Sequence, residues 1–378
     1  MLLLAACQNS KEPLASSIPV SADDSVEHII EANHPSLLDG GPVKIAFVQS
    51  LDSRGWPSGF SMEVESVICR DVQCEIIPVL MVFDELGNFL RFELRFGDNL
   101  TKMDHIPFSQ DDYAKLQQIL SDRNSALRNI AADRVVTPEQ AMLKKKVDGI
   151  SGATALTEEG AIVKGAAYTS YTLWHWANNP EIRRQARLFT SQLASEDQLI
   201  EMLSQGSEGY LHFAIQQLIA GNYFRKDVRS AVTAELLSGR DRTVKPVMEY
   251  LEAATIATGQ PYFFMFVQSR YLALQNQTRV RILEALKETS LDAPDGFMDG
   301  ISGWLPKLET YYEVHLLLEL LDAKNPGSQN TTRQAIQLLD NNNFLIARRA
   351  FWFLEERELN PAQSALIKRF RSEYEDRL

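Results

Sequence analysis

The sequence predicts an α+β N-terminal domain, a small antiparallel sheet with helices, followed by an all-α solenoid domain. Three observations predict it. Two runs rich in β-branched and aromatic residues, 76–83 and 89–96, flank the turn Asp84-Glu85-Leu86-Gly87-Asn88 and read as a hairpin. From Asn179 onward the strand signals stop. Eleven amphipathic segments then follow one another, joined by short connections carrying Gly, Pro, Asn or Ser. A chain of 378 residues is long enough for two domains that each bury a core.

The elements run in this order. Residues 1–7 form an apolar remnant, and residues 8–39, rich in Ser, Pro, Ala and acids, read as a tether. His28 and His34 fall in that tether and have no assigned role. The first domain spans 40–178. After the hairpin come a loop, Leu100 to Phe108, and a helix from about Ser109 to Leu120. A small-residue run, Asp148-Gly149-Ile150-Ser151-Gly152-Ala153-Thr154, precedes Thr157-Glu158-Glu159, which has the Thr cap and first-turn acids of a helix start. Ala161–Ala177 continues with apolar residues at helical spacing. The second domain, 179–378, holds segments from Glu181–Leu193 to Pro361–Tyr374, one of them a single helix over Leu305–Leu321. Helix pairs of this length are the signature of a HEAT-like α-solenoid, with a non-repetitive bundle as the alternative.

Composition excludes several functions. The formal net charge of −12 and pI near 5.1 argue against nucleic-acid binding and against a polybasic membrane contact. Lys144-Lys145-Lys146 is the one basic run, directly before the small-residue stretch. There is no Gly-x-Ser-x-Gly elbow, Walker loop, Gly-x-Gly-x-x-Gly or His-Glu-x-x-His, so hydrolysis has no support, and neither catalytic nor metal-binding residues are assigned. Any chemistry belongs to a cofactor. Trp174-His175-Trp176 is expected to close its helix against the hairpin, or to stack its aromatics on a bound ring.

The run ending at Thr154 resembles the covalent attachment site of the FMN-binding domains of bacterial respiratory complexes, those of the NqrC and RnfG type. That pattern is Asp, two free positions, then Ser-Gly-Ala-Thr, with FMN held through a phosphoester on the Thr. The resemblance implies FMN on Thr154, recognition of Asp148 by a flavin transferase, and close approach over Ser151, Gly152 and Ala153. It covers residues 75–177 and is sharp only at the motif; the family's Thr-Pro-Gly-Leu-Gly loop has no counterpart, and Leu100 to Phe108 stands in its place. The same residues also read as a plain strand-to-helix turn. Asp299-Gly300-Ile301-Ser302-Gly303 repeats the first five of them without the acceptor Thr.

Leu4-Ala5-Ala6-Cys7 matches the lipobox of bacterial lipoproteins, which implies acylation of Cys7 and a lipid anchor in the cell envelope, facing the periplasm or exterior. In that oxidising compartment Cys69 and Cys74, flanking a hairpin turn, either form a disulfide or remain free thiols. The expected function is a membrane-anchored flavoprotein that relays electrons to a redox partner docked on the helical domain. The alternative is a non-flavinylated lipoprotein adaptor that binds proteins through its helices.

Overall fold

The computed structural model describes residues 25–33, 42–66, 76–102, 105–130, 160–205, 207–238 and 243–378. They form two compact units that divide after Ala194, not after residue 178.

The first unit is built on a five-stranded antiparallel meander, β1 (Ser25–Asn33), β2 (Pro42–Leu51), β3 (Pro57–Glu65), β4 (Pro78–Phe83) and β5 (Phe89–Leu94), in that spatial order. Alternation defines one buried face: Ile45, Phe47 and Gln49 on β2, Phe60, Met62 and Val64 on β3, and Val79, Met81 and Phe83 on β4 all point inward. The hairpin expected around Asp84–Asn88 is present, with Phe60 opposite Phe83 on the neighbouring strand. Gly59 is required there, because a Cβ would sit 2.6 Å from the carbonyl oxygen of Phe83.

The tether is corrected by β1. Residues 25–33 are paired along their whole length with β2, Ser25 opposite Ser50 and Asn33 opposite Pro42. Their acids occupy the outward positions, while Ile30 and Ala32 are buried. His28, assigned no role from the sequence, shares that inward side. Its Nε2 lies 3.0 Å from Oε1 of the buried Gln49, and its ring stacks 3.7 Å from Phe189.

Three helices accompany the sheet. Helix α1 (Gln110–Ser121) starts on a capping box, Ser109 with Asp112, and buries Leu116, Ile119 and Leu120. Helix α2 (Ala167–Ala177) begins later than the sequence suggests, since residues 160–166 are turns and bends; Tyr171, Leu173, Trp174 and Trp176 bury it on nearly every side. Helix α3 (Pro180–Leu193), counted with the second half from its periodicity, packs on β1 and β3.

The second unit is an all-α solenoid. Its helices are α4 (Glu196–Ser204), α5 (Glu208–Ala220), α6 (Lys226–Ala234), α7 (Val244–Thr258), α8 (Tyr262–Arg270), α9 (Asn276–Glu288), α10 (Phe297–Ser302), α11 (Tyr311–Lys324), α12 (Gln329–Gln337), α13 (Phe344–Glu355) and α14 (Pro361–Glu373). They alternate between two layers: α5, α7, α9, α11 and α13 stack in sequence, while α4 contacts α6, and α8, α10 and α12 form the other row. Starts at 208, 244, 276, 311 and 344 give a period of 32 to 36 residues. Charged ties repeat with it: Arg279 Nε to Glu313 Oε1 at 2.7 Å, Lys287 Nζ to Glu319 Oε2 at 2.9 Å, Arg349 Nε to His315 Nδ1 at 2.9 Å, and Arg357 to Asp322.

The expected single helix 305–321 is interrupted. Pro306 lies in a short 3-10 turn, Leu305–Lys307, and the side chain of Thr310 caps a fresh start at Tyr311 by accepting from Glu313 N. Helix α10 was not anticipated at all.

Candidate functional site

Every residue assigned to the attachment site, Asp148, Ser151, Gly152, Ala153 and Thr154, falls in 131–159, outside the described residues. Cys7, Cys69, Cys74 and the lysine run 144–146 lie outside them too. What the structure does place is the frame from which that segment springs. Ile130 closes a 3-10 turn, Ala126–Asn129, that follows α1. Gly160 opens the turn leading to α2. That turn is pinned where Val163 N donates to Ser170 Oγ at 3.0 Å and Ser170 Oγ donates to Ala166 O at 2.9 Å. Both ends border one cleft of about 330 Å³, lined by Lys115, Gln118, Asp122, Ser125, Ala126 and Gly160 among others. Its described walls are mostly polar and carry one cation, Lys115, and one carboxylate, Asp122.

The aromatic cluster lies in the core that α2 shares with the hairpin strands, in one cluster with Val79, Met81 and Phe83. Trp174 and Trp176 are buried in the core and present no free ring face. Trp174 Nε1 donates to Asp122 O at 2.7 Å, at the end of α1, and His175 Nε2 lies 3.1 Å from Leu127 O. So its hydrogen bonds lock α2 to the end of α1 and the following turn, while its rings share the core with the hairpin strands. Burial lowers the His175 pKa, and the contact with the Leu127 carbonyl opposes that only in part.

In the loop standing where the family has its own, Lys102 N donates to Ile106 O at 2.7 Å and Phe108 N to Leu100 O at 2.8 Å. Leu100 N donates to Tyr113 Oη at 2.9 Å. Lys102 Nζ is 2.7 Å from Asp112 Oδ2. Burial raises the pKa of Asp112, but Lys102 and the Ser109 hydrogen bonds outweigh it and hold the carboxyl below its ordinary value. The described residues of this loop are held by these hydrogen bonds and by an ion pair whose acid also serves the α1 cap.

The internal repeat of the motif is resolved. Asp299 to Ser302 is helical, in α10, and Gly303 is its C-cap. Asp299 Oδ1 accepts from Asn325 Nδ2 at 3.0 Å and Ser328 Oγ at 2.6 Å, which ties α10 to the α11–α12 connection. That copy has a structural role. The same five residue types therefore do not by themselves mark a cofactor site.

Arg183 and Arg187 on α3 carry no recognisable motif in the sequence. Their spacing of four on one helix was legible; that neither forms an ion pair among the described residues was not. Among the described residues no group of His, Cys, Asp and Glu could hold a metal ion, and no helix is long and apolar enough to cross a membrane. No protein-family model matches the chain, and no curated protein does.

Proposed function

We propose that the protein is a lipid-anchored, extracytoplasmic flavoprotein carrying FMN on Thr154 and relaying electrons between a membrane donor and a partner on the helical domain. The observation that carries this reading is the run Asp148 to Thr154, which has the acceptor hydroxyl and the small residues before it in the family's order. Esterification needs an exposed hydroxyl that a transferase can approach; Gly152 and Ala153 leave little bulk beside it. The cleft at the root of the segment supports the reading through Lys115 and its polar groups, which can meet a phosphate-bearing ligand, although Asp122 in the same lining opposes one. The flavin would supply the redox chemistry; this chain's residues would hold it and exclude water. Anchoring through an acylated Cys7 belongs to the same proposal.

The test is co-expression with a flavin transferase followed by denaturing electrophoresis and in-gel fluorescence. Wild type is expected to fluoresce and Thr154→Val to be dark, with wild type heavier by one FMN less the water lost in the ester bond, apart from the substitution itself. A dark wild type overturns the proposal. The adaptor reading is favoured by a different observation: Tyr312 on α11 and Leu345 and Trp352 on α13 are apolar and exposed on stacked helices of the solenoid. It expects a stable protein complex that Trp352→Ala weakens whether or not flavin is attached.

A further inference from the structure

Arg183 and Arg187 lie one turn apart on α3, on the side that meets the β4–β5 turn. Contact there is close. Gly87 has φ +74°, and a Cβ on it would come within 2.7 Å of Arg183 Cα. Thr190 Oγ1 donates to Glu85 O at 2.6 Å. Arg123, just beyond α1, reaches the same turn, with Nη2 2.5 Å from Asn88 Oδ1. Arg123 and Arg183 thus meet one hairpin turn from two sides, with Arg187 one helical turn further along α3.

One carboxylate of the turn, Asp84, is already committed. Asp84 Oδ1 accepts from Leu86 N at 2.9 Å and Asn88 N at 2.7 Å, and Oδ2 accepts from Asn88 Nδ2 at 2.6 Å. Asp84 therefore shapes the turn and lends its charge to the neighbourhood, while its hydrogen bonds go elsewhere. Arg183 and Arg187 are half-buried, and the Nε of each is sealed from water with no acceptor. Neither has an ion-pair partner among the described residues. Burial, then the charges of Arg123 and Arg187, push the Arg183 guanidinium below its ordinary pKa, with Asp84 opposing.

Charge taken out of water is costly unless an opposite charge and hydrogen bonds meet it. Three cations against the two carboxylates of the turn, Asp84 and Glu85, leave an excess of one positive charge there. A phosphomonoester carries close to two negative charges at neutral pH and presents three acceptor oxygens. Guanidinium forks match such oxygens in pairs, which a lone ammonium does not. We propose that Arg123, Arg183 and Arg187 form a binding site for a phosphoryl group at the β4–β5 turn. The site requires neither Thr154 nor FMN, so it stands or falls apart from the flavin proposal.

The experiment is calorimetric titration of inorganic phosphate into the full chain at low ionic strength. The variants are Arg183→Gln/Arg187→Gln together, Arg123→Gln alone, and Arg184→Gln as control, since Arg184 is exposed and paired with Glu181 at 2.6 Å. Saturable binding is expected for wild type and for Arg184→Gln. Affinity should fall about tenfold or more in the double variant and measurably in Arg123→Gln, whose exposed side chain can be changed without touching the core. Phosphate should also raise the wild-type melting temperature and leave that of the double variant unmoved. No saturable binding by wild type, or equal binding by both Gln variants, overturns the site. Co-sedimentation with phosphatidic acid vesicles identifies the source: pelleting of wild type but not of the double variant assigns a lipid headgroup, and no pelleting beside intact phosphate binding assigns a soluble phosphate compound.

Discussion

The two units are held together in opposite ways. In the sheet unit, Phe47 on β2 stacks on Phe60 of β3 at 4.6 Å and meets Phe83 of β4 edge-on at 6.2 Å, and Phe189 of α3 comes within 6.4 Å of Phe60. One aromatic cluster thus joins strands and a helix far apart in the chain. In the solenoid, the ties recur between neighbours in the stack: α9 to α11 through Arg279–Glu313, and α11 to α13 through His315–Arg349. A single shared core makes the first unit cooperative, whereas nearest-neighbour contacts make the second close to a sum of local terms. Damage should spread through the one and stay local in the other.

The largest effect is expected from Phe47→Ala. Phe47 has no exposed surface, and truncating such a ring costs about 3–5 kcal/mol, a large share of a domain's typical stability. Denaturant unfolding followed by circular dichroism and tryptophan fluorescence should show the sheet unit's transition displaced and the helical one in place. If both transitions moved equally, the contrast between the units would be lost.

Glu313→Ala comes next. Glu313 is fully buried and accepts from Arg279, Asn276 and Thr310, so its loss strands the nearly buried Arg279 guanidinium. Removing one partner of a buried ion pair costs about 3 kcal/mol or more. Hydrogen exchange should then quicken in α9 and α11 and their stack neighbours, with protection in β1–β5 unchanged.

The smallest effect sharpens the comparison through pH. The folded-state pKa of His175 is lowered by burial, so the unfolded chain takes up its proton first as pH falls. Its contribution to stability is complete above about pH 6.5 and is lost as pH drops from there towards the folded value. His175→Gln, which keeps a donor for the Leu127 carbonyl, should flatten the acid loss of stability in the sheet unit between pH 7 and 5. The solenoid transition should keep its own pH profile.

Much of this architecture was legible in the residues. The hairpin at Asp84–Asn88 announced itself through two alternating runs around a glycine turn, and most solenoid helices through their apolar period. Strand β1 was not legible, because Ser25-Val26-Glu27-His28-Ile29-Ile30-Glu31 carries the acids and sparse apolar residues of a tether; only pairing with β2 shows that Ile30 and Ala32 face the core. Helix α10 was hidden by glycines at 296, 300 and 303, which punctuate sequence yet are accommodated where Asp299 ties the helix to Asn325 and Ser328. Of the candidate sites, the Thr154 motif was visible only in sequence, and the arginine cluster only in space.

The sequence by itself determined what depends on near neighbours along the chain: amphipathic helices, the cap at Ser109, and the tight turn at Gly87. Tertiary structure alone decided that α3 serves the sheet, that Trp174 and His175 grip the end of α1, and that Arg123 joins Arg183 and Arg187 around a saturated Asp84. The physical reason is that hydrogen-bond satisfaction and charge balance are properties of groups gathered in space. Helical periodicity and capping are settled within a few residues.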